Sequence, residues 1–245
     1  SALDSYGIYQ WINNTWVSRT TSKIPDGAGV NQAVINASGC IYIGTGSNVD
    51  YTAGGDVYTI CPGNSNWTLV GGGSLPDLSM FVKNIAVNGN KIYASSDCSN
   101  NYSYSCYDQS SGDPLPSNVY VSNNNGNWSL VGGGPVPNSI SHAALTAVDT
   151  LNDNVYSCVD GSTLCYVSSS GSERWLSLSL VPNTISTNTL AVNSITHGVY
   201  VGSRDGNVYE LTSLAANWRV VGAGVADGSP ITAIKITATG DIYAG

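Results

Sequence analysis

The side chains that could carry acid–base chemistry are few in this sequence and are scattered along it. Its 245 residues include two histidines, His142 and His197, and only two glutamates, Glu173 and Glu210. Glycoside hydrolysis usually needs two carboxylates about 5 to 10 Å apart, and no repeat of this chain concentrates acidic and basic groups. We expect the histidines to lie on opposite faces, so neither a shared metal nor a Ser-His-Asp arrangement is predicted. The sequence therefore predicts no catalytic residues and no cofactor.

Metal binding is also not predicted. The six cysteines include no CxxC pair, and none lies near a histidine, which argues against zinc. Asp50, Asp97 and Asp108 could offer oxygen ligands, but their spacing is unlike that of an EF-hand, so a calcium site stays an open alternative. An even number of cysteines favours disulfides, which form in an oxidising compartment.

The cysteine positions predict three disulfides. Two residues that face each other across a hairpin have residue numbers whose sum is the same for every facing pair of that hairpin. For two of the cysteine pairs, this sum is within one of the sum for the tyrosines on the same two strands. These two pairs should bridge neighbouring strands closely enough for disulfide geometry, and the third should close a short loop. The predicted pairs are Cys40–Cys61, Cys98–Cys106 and Cys158–Cys165.

Net charge excludes several classes of partner. The chain carries a formal charge of −8 at pH 7, with eight scattered Lys and Arg residues. Nucleic acids and anionic membranes attract clustered positive charge, so neither is predicted as a partner. No apolar run is long enough to cross a bilayer. The chain begins at Ser1 without a signal-like segment, which fits a secreted protein whose signal peptide has been removed and equally fits a trimmed chain.

A glycine-rich motif, NWSLVGGGPVPN from Asn127 to Asn138, suggests at first sight a phosphate-binding loop. Such a loop needs a following helix and usually a lysine, and neither follows. The motif returns as NWTLVGGGSLPD from Asn66 and NWRVVGAGVADG from Asn217, with degenerate copies from Asn14 and Arg174. We therefore expect the glycines to permit sharp turns and close backbone approach, and the tryptophans to pack between repeats.

The tryptophans mark five repeats. Their spacings of 51, 61, 47 and 43 residues are typical of a propeller or a repeat array. Each is preceded by an apolar strand and two tyrosine-containing strands that alternate with period two between Gly, Asn and Asp turns. Each repeat is therefore read as four short strands, named a, b, c and d, with the tryptophan at strand d. The five tryptophans that anchor the repeats are Trp16, Trp67, Trp128, Trp175 and Trp218.

Four antiparallel strands repeated five times predict an all-β fold, a five-bladed β-propeller that forms a single domain over residues 1–245. The chain starts with strands c and d, from Tyr6 to Ser18, and stops with strands a and b, from Ile231 to Gly245. Neither end is a complete blade. We predict that the two ends pair as the fifth blade, which would close the ring and protect the strand edges.

A quasi-repeated five-bladed ring with Trp and Gly in its units resembles the tachylectin and tectonin type of propeller lectin. The resemblance covers the whole chain through its architecture and through motifs such as GNVYELTSLAANWRVVG, from Gly206 to Gly222. It implies a multivalent carbohydrate-binding protein with sites at or between blades. The repeats of this chain are unequal, however, and two blades carry long insertions.

Strand alternation places the b–c and d–a loops on one face, named here the loop face, and the a–b and c–d turns on the other, named the turn face. Both long insertions, Gly44 to Gly55 and Ser95 to Asn118, are b–c loops, and such loops commonly carry binding sites. Tyrosine rings with Asp or Asn suit a sugar. Alternatively, Asp or Asn after Pro caps a turn, and the tyrosines pack their own loop. The candidates are Asp26, Asp77, Asn138, Asn183, Asp227, Tyr51, Tyr102 and Tyr104.

The sequence is best interpreted as a secreted, monomeric binding module that recognises glycans or a glycoprotein on the loop face. One alternative is a protein–protein interaction propeller, such as a secreted bacterial factor, that uses the cysteine-bearing loop. Another is a divergent glycoside hydrolase. A repeated site would bind several equivalents of sugar, a unique epitope would bind one partner, and a hydrolase would turn over its substrate.

Overall fold

The computed structural model describes residues 8–18, 24–25, 29–46, 55–76, 81–97, 113, 115–123, 126–140, 142–170, 172–182, 186–222 and 228–245. These residues form antiparallel β-strands and two short 3-10 helices, Val70–Gly72 and Val131–Gly133. The predicted all-β class is therefore confirmed. In this part of the chain no helix has the length and apolar character that crossing a membrane requires.

Four sheets each contain four antiparallel strands in sequence order, as predicted for four blades. Blade 1 contains β3 (Gly29–Ile35), β4 (Ile41–Gly46), β5 (Val57–Ile60) and β6 (Thr68–Leu69). Blade 2 contains β7 (Phe81–Asn88), β8 (Lys91–Asp97), β9 (Val119–Asn123) and β10 (Ser129–Leu130). Blade 3 contains β11 (Ala144–Asp149), β12 (Asn154–Val159), β13 (Cys165–Ser168) and β14 (Leu176–Ser177). Blade 4 contains β15 (Thr187–Asn193), β16 (Gly198–Ser203), β17 (Val208–Leu211) and β18 (Arg219–Val221).

The two ends of the chain form separate two-stranded sheets. One contains β1 (Tyr9–Ile12) and β2 (Thr15–Ser18), and the other contains β19 (Ile234–Ile236) and β20 (Ile242–Ala244). Within the described residues no strand ladder joins them. The structure thus contains both halves of the predicted fifth blade but does not show their pairing.

Strand register is the same in every complete blade. Each strand-b tyrosine faces the residue after the strand-c tyrosine, so Tyr42 faces Thr59 and Tyr156 faces Val167. Residues that face each other share one side of a sheet and successive residues alternate. The strand-b and strand-c tyrosines of one blade therefore point to opposite sides of the sheet. The alignment of these two tyrosines with each other, expected from the sequence, was wrong by one residue.

Two of the three predicted disulfides are confirmed. Cys40–Cys61 bridges strands b and c of blade 1, and Cys158–Cys165 does so in blade 3, each with a Cα–Cα distance of 4.0 Å. Cys98 and Cys106 lie outside the described residues. Strands β4 and β8 also reach Gly46 and Asp97, further into the two long insertions than the sequence indicated.

The five inner strands line a common cavity, named here the channel. Strands β3, β7, β11, β15 and β19 lie side by side in that order. A cavity of about 580 Å³ is lined by all five, including Gln32, Ile85, Thr146, Leu190 and Ile234. Apolar clusters fill the space between neighbouring sheets, for example where Val70 of blade 1 and Trp128 of blade 2 share one cluster. This arrangement puts strand ends and loops around the channel mouths.

Candidate functional site

The loop face is held together by hydrogen bonds between its two kinds of loop. In three blades, a backbone amide of the d–a segment donates to a carbonyl of the b–c loop. Both kinds of loop therefore lie on one face, as the strand alternation predicted. The pairs are Leu75–Gly55, Val136–Ser117 and Val181–Thr163, with N–O distances of 3.0 to 3.1 Å.

Among the candidate binding residues, Asn138 alone lies in the described part of the chain. It is exposed and has a φ of 58°, and its Nδ2 donates to the Tyr166 hydroxyl at 2.7 Å. A left-handed Asn in a turn is the backbone role that the alternative interpretation gave it. Its solvent-facing position is also compatible with a ligand. The remaining candidates, Asp26, Asp77, Asn183, Asp227, Tyr51, Tyr102 and Tyr104, lie outside the described residues.

Two carboxylates of the b–c loops also contact a strand-c tyrosine, but they accept its hydrogen bond, whereas Asn138 donates. The strand-c tyrosines Tyr58 and Tyr209 donate their hydroxyls to Asp56 at 3.1 Å and Asp205 at 2.7 Å. With Asn138–Tyr166, they are named here the loop-face pairs, and they occupy blades 1, 3 and 4. Sequence reasoning missed Asp56 and Asp205, although each closely precedes a strand-c tyrosine.

The Asp205 pair predicts an acid-dependent loss of stability. Burial alone would raise the pKa of Asp205, but hydrogen bonds from Tyr209 and Asn207 outweigh it and lower the pKa below its ordinary value of 3.8. A lowered folded-state pKa gives stability that is present above the unfolded-state pKa and is lost as pH falls through the folded-state value. Asp205→Asn should therefore cost about 0.5 to 1.5 kcal/mol near pH 7 and less in acid, as measured by urea unfolding.

Tyr209→Phe is the matched variant for this prediction, because it removes the same hydrogen bond and leaves the carboxylate. It should also flatten the decline of stability in acid. An unchanged acid slope in both variants would contradict the assignment of this decline to Asp205.

Lys83 joins two blades at the loop-face mouth of the channel. Its Nζ lies 3.4 Å from Asp97 in blade 2 and 3.6 Å from Asp160 in blade 3. The two carboxylates therefore lie within roughly 7 Å of each other, a separation compatible with a glycosidase. Asp97 was also a candidate calcium ligand, but here it contacts Lys83, while Asp50 and Asp108 lie outside the described residues.

Bulges turn polar side chains toward the same mouth. Strand a is bulged at Asn31, Lys83 and Asn188, the same position in blades 1, 2 and 4, and bulges commonly re-aim a side chain. Asn31 Nδ2 donates to the Val82 carbonyl at 3.2 Å, and Arg204 Nε donates to Asn188 Oδ1 at 3.3 Å. Amide and cationic groups therefore surround this opening.

The glycines and tryptophans of the repeat have a structural role, as predicted. Trp128 Nε1 donates to the Gly73 carbonyl of the preceding blade at 3.1 Å, and Trp175 Nε1 donates to the Gly134 carbonyl at 3.2 Å. Gly71 has a φ of 76°, and a Cβ there would overlap the Trp128 indole. The repeated motif thus packs one blade against the next.

The turn face contains a contact between a buried acid and an exposed histidine that the sequence did not predict. Asp149 is fully buried, and its Oδ2 lies 2.6 Å from His197 Nδ1 in the next blade. His197 has a φ of 59°, which is rare for a residue with a side chain. His142 lies before strand a of blade 3, at the loop face, so the histidines do lie on opposite faces.

Two tyrosine hydroxyls on strand b are kept protonated over a wide pH range. Burial, and next the hydrogen bond to Glu210, raise the pKa of Tyr200 to about 12. Burial, and next the charge of Asp153, raise the pKa of Tyr93 to about 12. Tyr200 therefore acts as a neutral hydrogen-bond donor to Glu210 within its blade.

Comparison with protein-family models found no match, and comparison with curated proteins found no relative. The functional argument therefore depends on the geometry of the chain itself.

Proposed function

We propose that this protein is a secreted, monomeric lectin-like module that binds glycans or glycoproteins on its loop face. The observation that carries the proposal is the repetition of the loop-face pairs in three blades. Each pair holds an Asp or Asn against the hydroxyl of a buried tyrosine, and Asn138 and Asp205 keep part of their surface exposed. Carboxylates accept hydrogen bonds from sugar hydroxyls, and amides both accept and donate them. Two disulfides fit an oxidising compartment.

Ring closure belongs to the same proposal, because a closed ring would present five blades around one mouth. The terminal pair β19–β20 packs on blade 4, where Ile231 is 1% exposed beside Tyr200 and Val208. At the other end, Ile8 packs against the core of blade 1. Among the described strands, β1 pairs only with β2 and β20 only with β19. In a closed ring, β1 and β20 would pair with each other and complete blade 5.

A glycoside hydrolase is the second candidate function, and the proximity of Asp97 and Asp160 favours it. Lys83 lies in contact with both carboxylates, however, and takes up the space that a glycosidic bond would need between them. Turnover of a bound glycan that is abolished by Asp97→Asn and Asp160→Asn would establish hydrolysis in place of lectin-like binding. A single protein partner without glycan affinity would instead support the interaction propeller.

A glycan array followed by titration calorimetry tests the loop face. Asn138→Gly removes the amide but tolerates the left-handed backbone, so it separates binding from turn formation. Loss of its hydrogen bonds should weaken glycan affinity by about 0.5 to 1.5 kcal/mol, roughly twofold to tenfold.

Asn14→Gly is the matched control, since Asn14 has a φ of 60° and lies in a c–d turn. It should leave glycan affinity unchanged. If Asn138→Gly has no effect and changes at Asp149 or Glu173 abolish glycan binding, the ligand binds the turn face and the proposed face is wrong.

A further inference from the structure

The turn face has a crevice between blades 3 and 4 that the proposed glycan site does not use. The crevice has a volume of about 330 Å³. Its floor is formed by the buried side chains of Tyr156, Val199 and Leu211. Leu214 forms an apolar wall and is 47% exposed. Ligand sites typically combine such an apolar body with a few convergent polar groups.

Polar groups converge at one end of this crevice. His197, Asn152 and Thr196 lie along its rim, and all three are exposed. A carboxylate can only accept hydrogen bonds, so the 2.6 Å contact with Asp149 places a proton on His197 Nδ1. Asn152 Nδ2 lies 3.5 Å from the same atom, but both groups are donors when Nδ1 carries the proton, so they form no hydrogen bond. In the neutral imidazole with its proton on Nδ1, Nε2 is the ring nitrogen left to accept a hydrogen bond from a ligand.

The two turns that carry these groups are locked together. Thr150 donates to Ser194 Oγ through its backbone N at 2.8 Å and through its Oγ1 at 2.9 Å. His197 takes the same left-handed conformation as Asp153 in the a–b turn of blade 3, with φ values of 59° and 60°. The polar end of the crevice is thus preorganised before any ligand arrives.

The charge at this end favours a cation. Asp149 lies behind the His197 ring, and no Lys or Arg is among the described residues that line the crevice. Asp153, on the same turn as Asn152, pairs with Lys91 of blade 2. An ammonium group would donate to Nε2 and would be attracted by the Asp149 charge, whereas a carboxylate would be repelled.

We propose that this crevice is a second ligand site, specific for a small primary ammonium ion with an apolar body. The ammonium binds His197 Nε2, backed by Asp149, and the apolar body lies against Leu211, Val199 and Leu214. The site is separate from the loop face, so its ligand and a glycan bind independently.

Three matched probes test this charge preference by ligand-observed NMR and calorimetry on the full chain. Phenethylammonium should bind saturably with a Kd on the order of millimolar, as expected for so small a ligand. The neutral 2-phenylethanol and the anionic 3-phenylpropanoate should bind at least about tenfold more weakly. Equal binding of all three probes, or no binding of phenethylammonium, would overturn the proposal.

Variants locate the site. His197→Gln keeps a donor for Asp149 and should weaken phenethylammonium binding about tenfold or more. Leu214→Ser should also weaken phenethylammonium binding, and it should not affect folding because Leu214 lies on the surface. His142→Gln on the loop face is the control and should leave phenethylammonium binding unchanged. If phenethylammonium still binds both His197→Gln and Leu214→Ser with unchanged affinity, the proposed site is wrong. Asn138→Gly lies on the other face and should leave phenethylammonium binding unchanged, whatever its effect on glycan binding.

Discussion

Removal of Ile231–Gly245 is expected to abolish cooperative unfolding of the whole chain and to cause aggregation. This segment contains β19 and β20, and its Ile231 is 1% exposed in the cluster with Tyr200 and Val208. Its removal would open the core of blade 4 and leave unpaired strand edges, which promote aggregation. Differential scanning calorimetry with analytical ultracentrifugation checks this outcome.

A single substitution measures how much the packing of this segment contributes to the stability of the fold. Ile231→Ala should cost about 2 to 5 kcal/mol, because it leaves a cavity in a closed cluster. Ile35→Ala is the matched control, since Ile35 is 65% exposed and should cost about 0.5 kcal/mol or less. A truncated chain that stays monomeric with an unchanged melting temperature would show that the terminal strands are not structural.

Ring closure itself can be tested with a designed disulfide. The common register places Asp241 opposite Ile12 in a closed fifth blade, just as Cys40 lies opposite Cys61 in blade 1. The double variant Asp241→Cys with Ile12→Cys should therefore form a disulfide under the conditions that form Cys40–Cys61. Pairing Ile12→Cys with Ile242→Cys shifts the register by one residue and should not. Failure of the first pair to oxidise would indicate that the ring is open at this position.

Gly71→Ala is expected to destabilise the fold by about 2 to 5 kcal/mol, the second large effect. Its φ of 76° is strained for alanine, and the new Cβ would overlap the Trp128 indole. The indole would have to move away from the Gly73 carbonyl to which it now donates at 3.1 Å. Chemical denaturation with tryptophan fluorescence measures both the stability and the displacement.

Alanine substitutions at two other glycines distinguish the cost of backbone strain from the cost of overlap between the new Cβ and the indole. Gly63 has a φ of 87° and no described atom within 4 Å of an added Cβ, so Gly63→Ala should show backbone strain alone, about 1 kcal/mol. Gly222 is the blade 4 counterpart of Gly71, with a φ of 70° and open space around it. If the ring closes, Trp16 should pack there, and Gly222→Ala should then cost as much as Gly71→Ala. A Gly71→Ala cost no larger than that of Gly63→Ala would contradict the packing role of the repeat.

The regular features of this protein could be predicted from sequence because they depend on neighbours along the chain. Strands a to d of one blade follow one another through short turns, so alternation and repeated Tyr and Trp positions predict the strands and their order. Two disulfides were predictable for the same reason, since Cys158 and Cys165 face each other across a single hairpin. The positions of loops on one face or the other follow from the same alternation.

Contacts between blades depended on the tertiary structure. Asp149 and His197 are 48 residues apart, and Lys83 meets Asp160 across a blade boundary. No period in the sequence relates such residues, because their approach depends on how two sheets pack and on where a bulge turns a side chain. The sequence by itself thus determined the blades, their order and the loop face. Only the packing of blade against blade decided which polar groups meet at the channel mouth and in the turn-face crevice, since residues distant along the chain become neighbours only when the sheets are stacked.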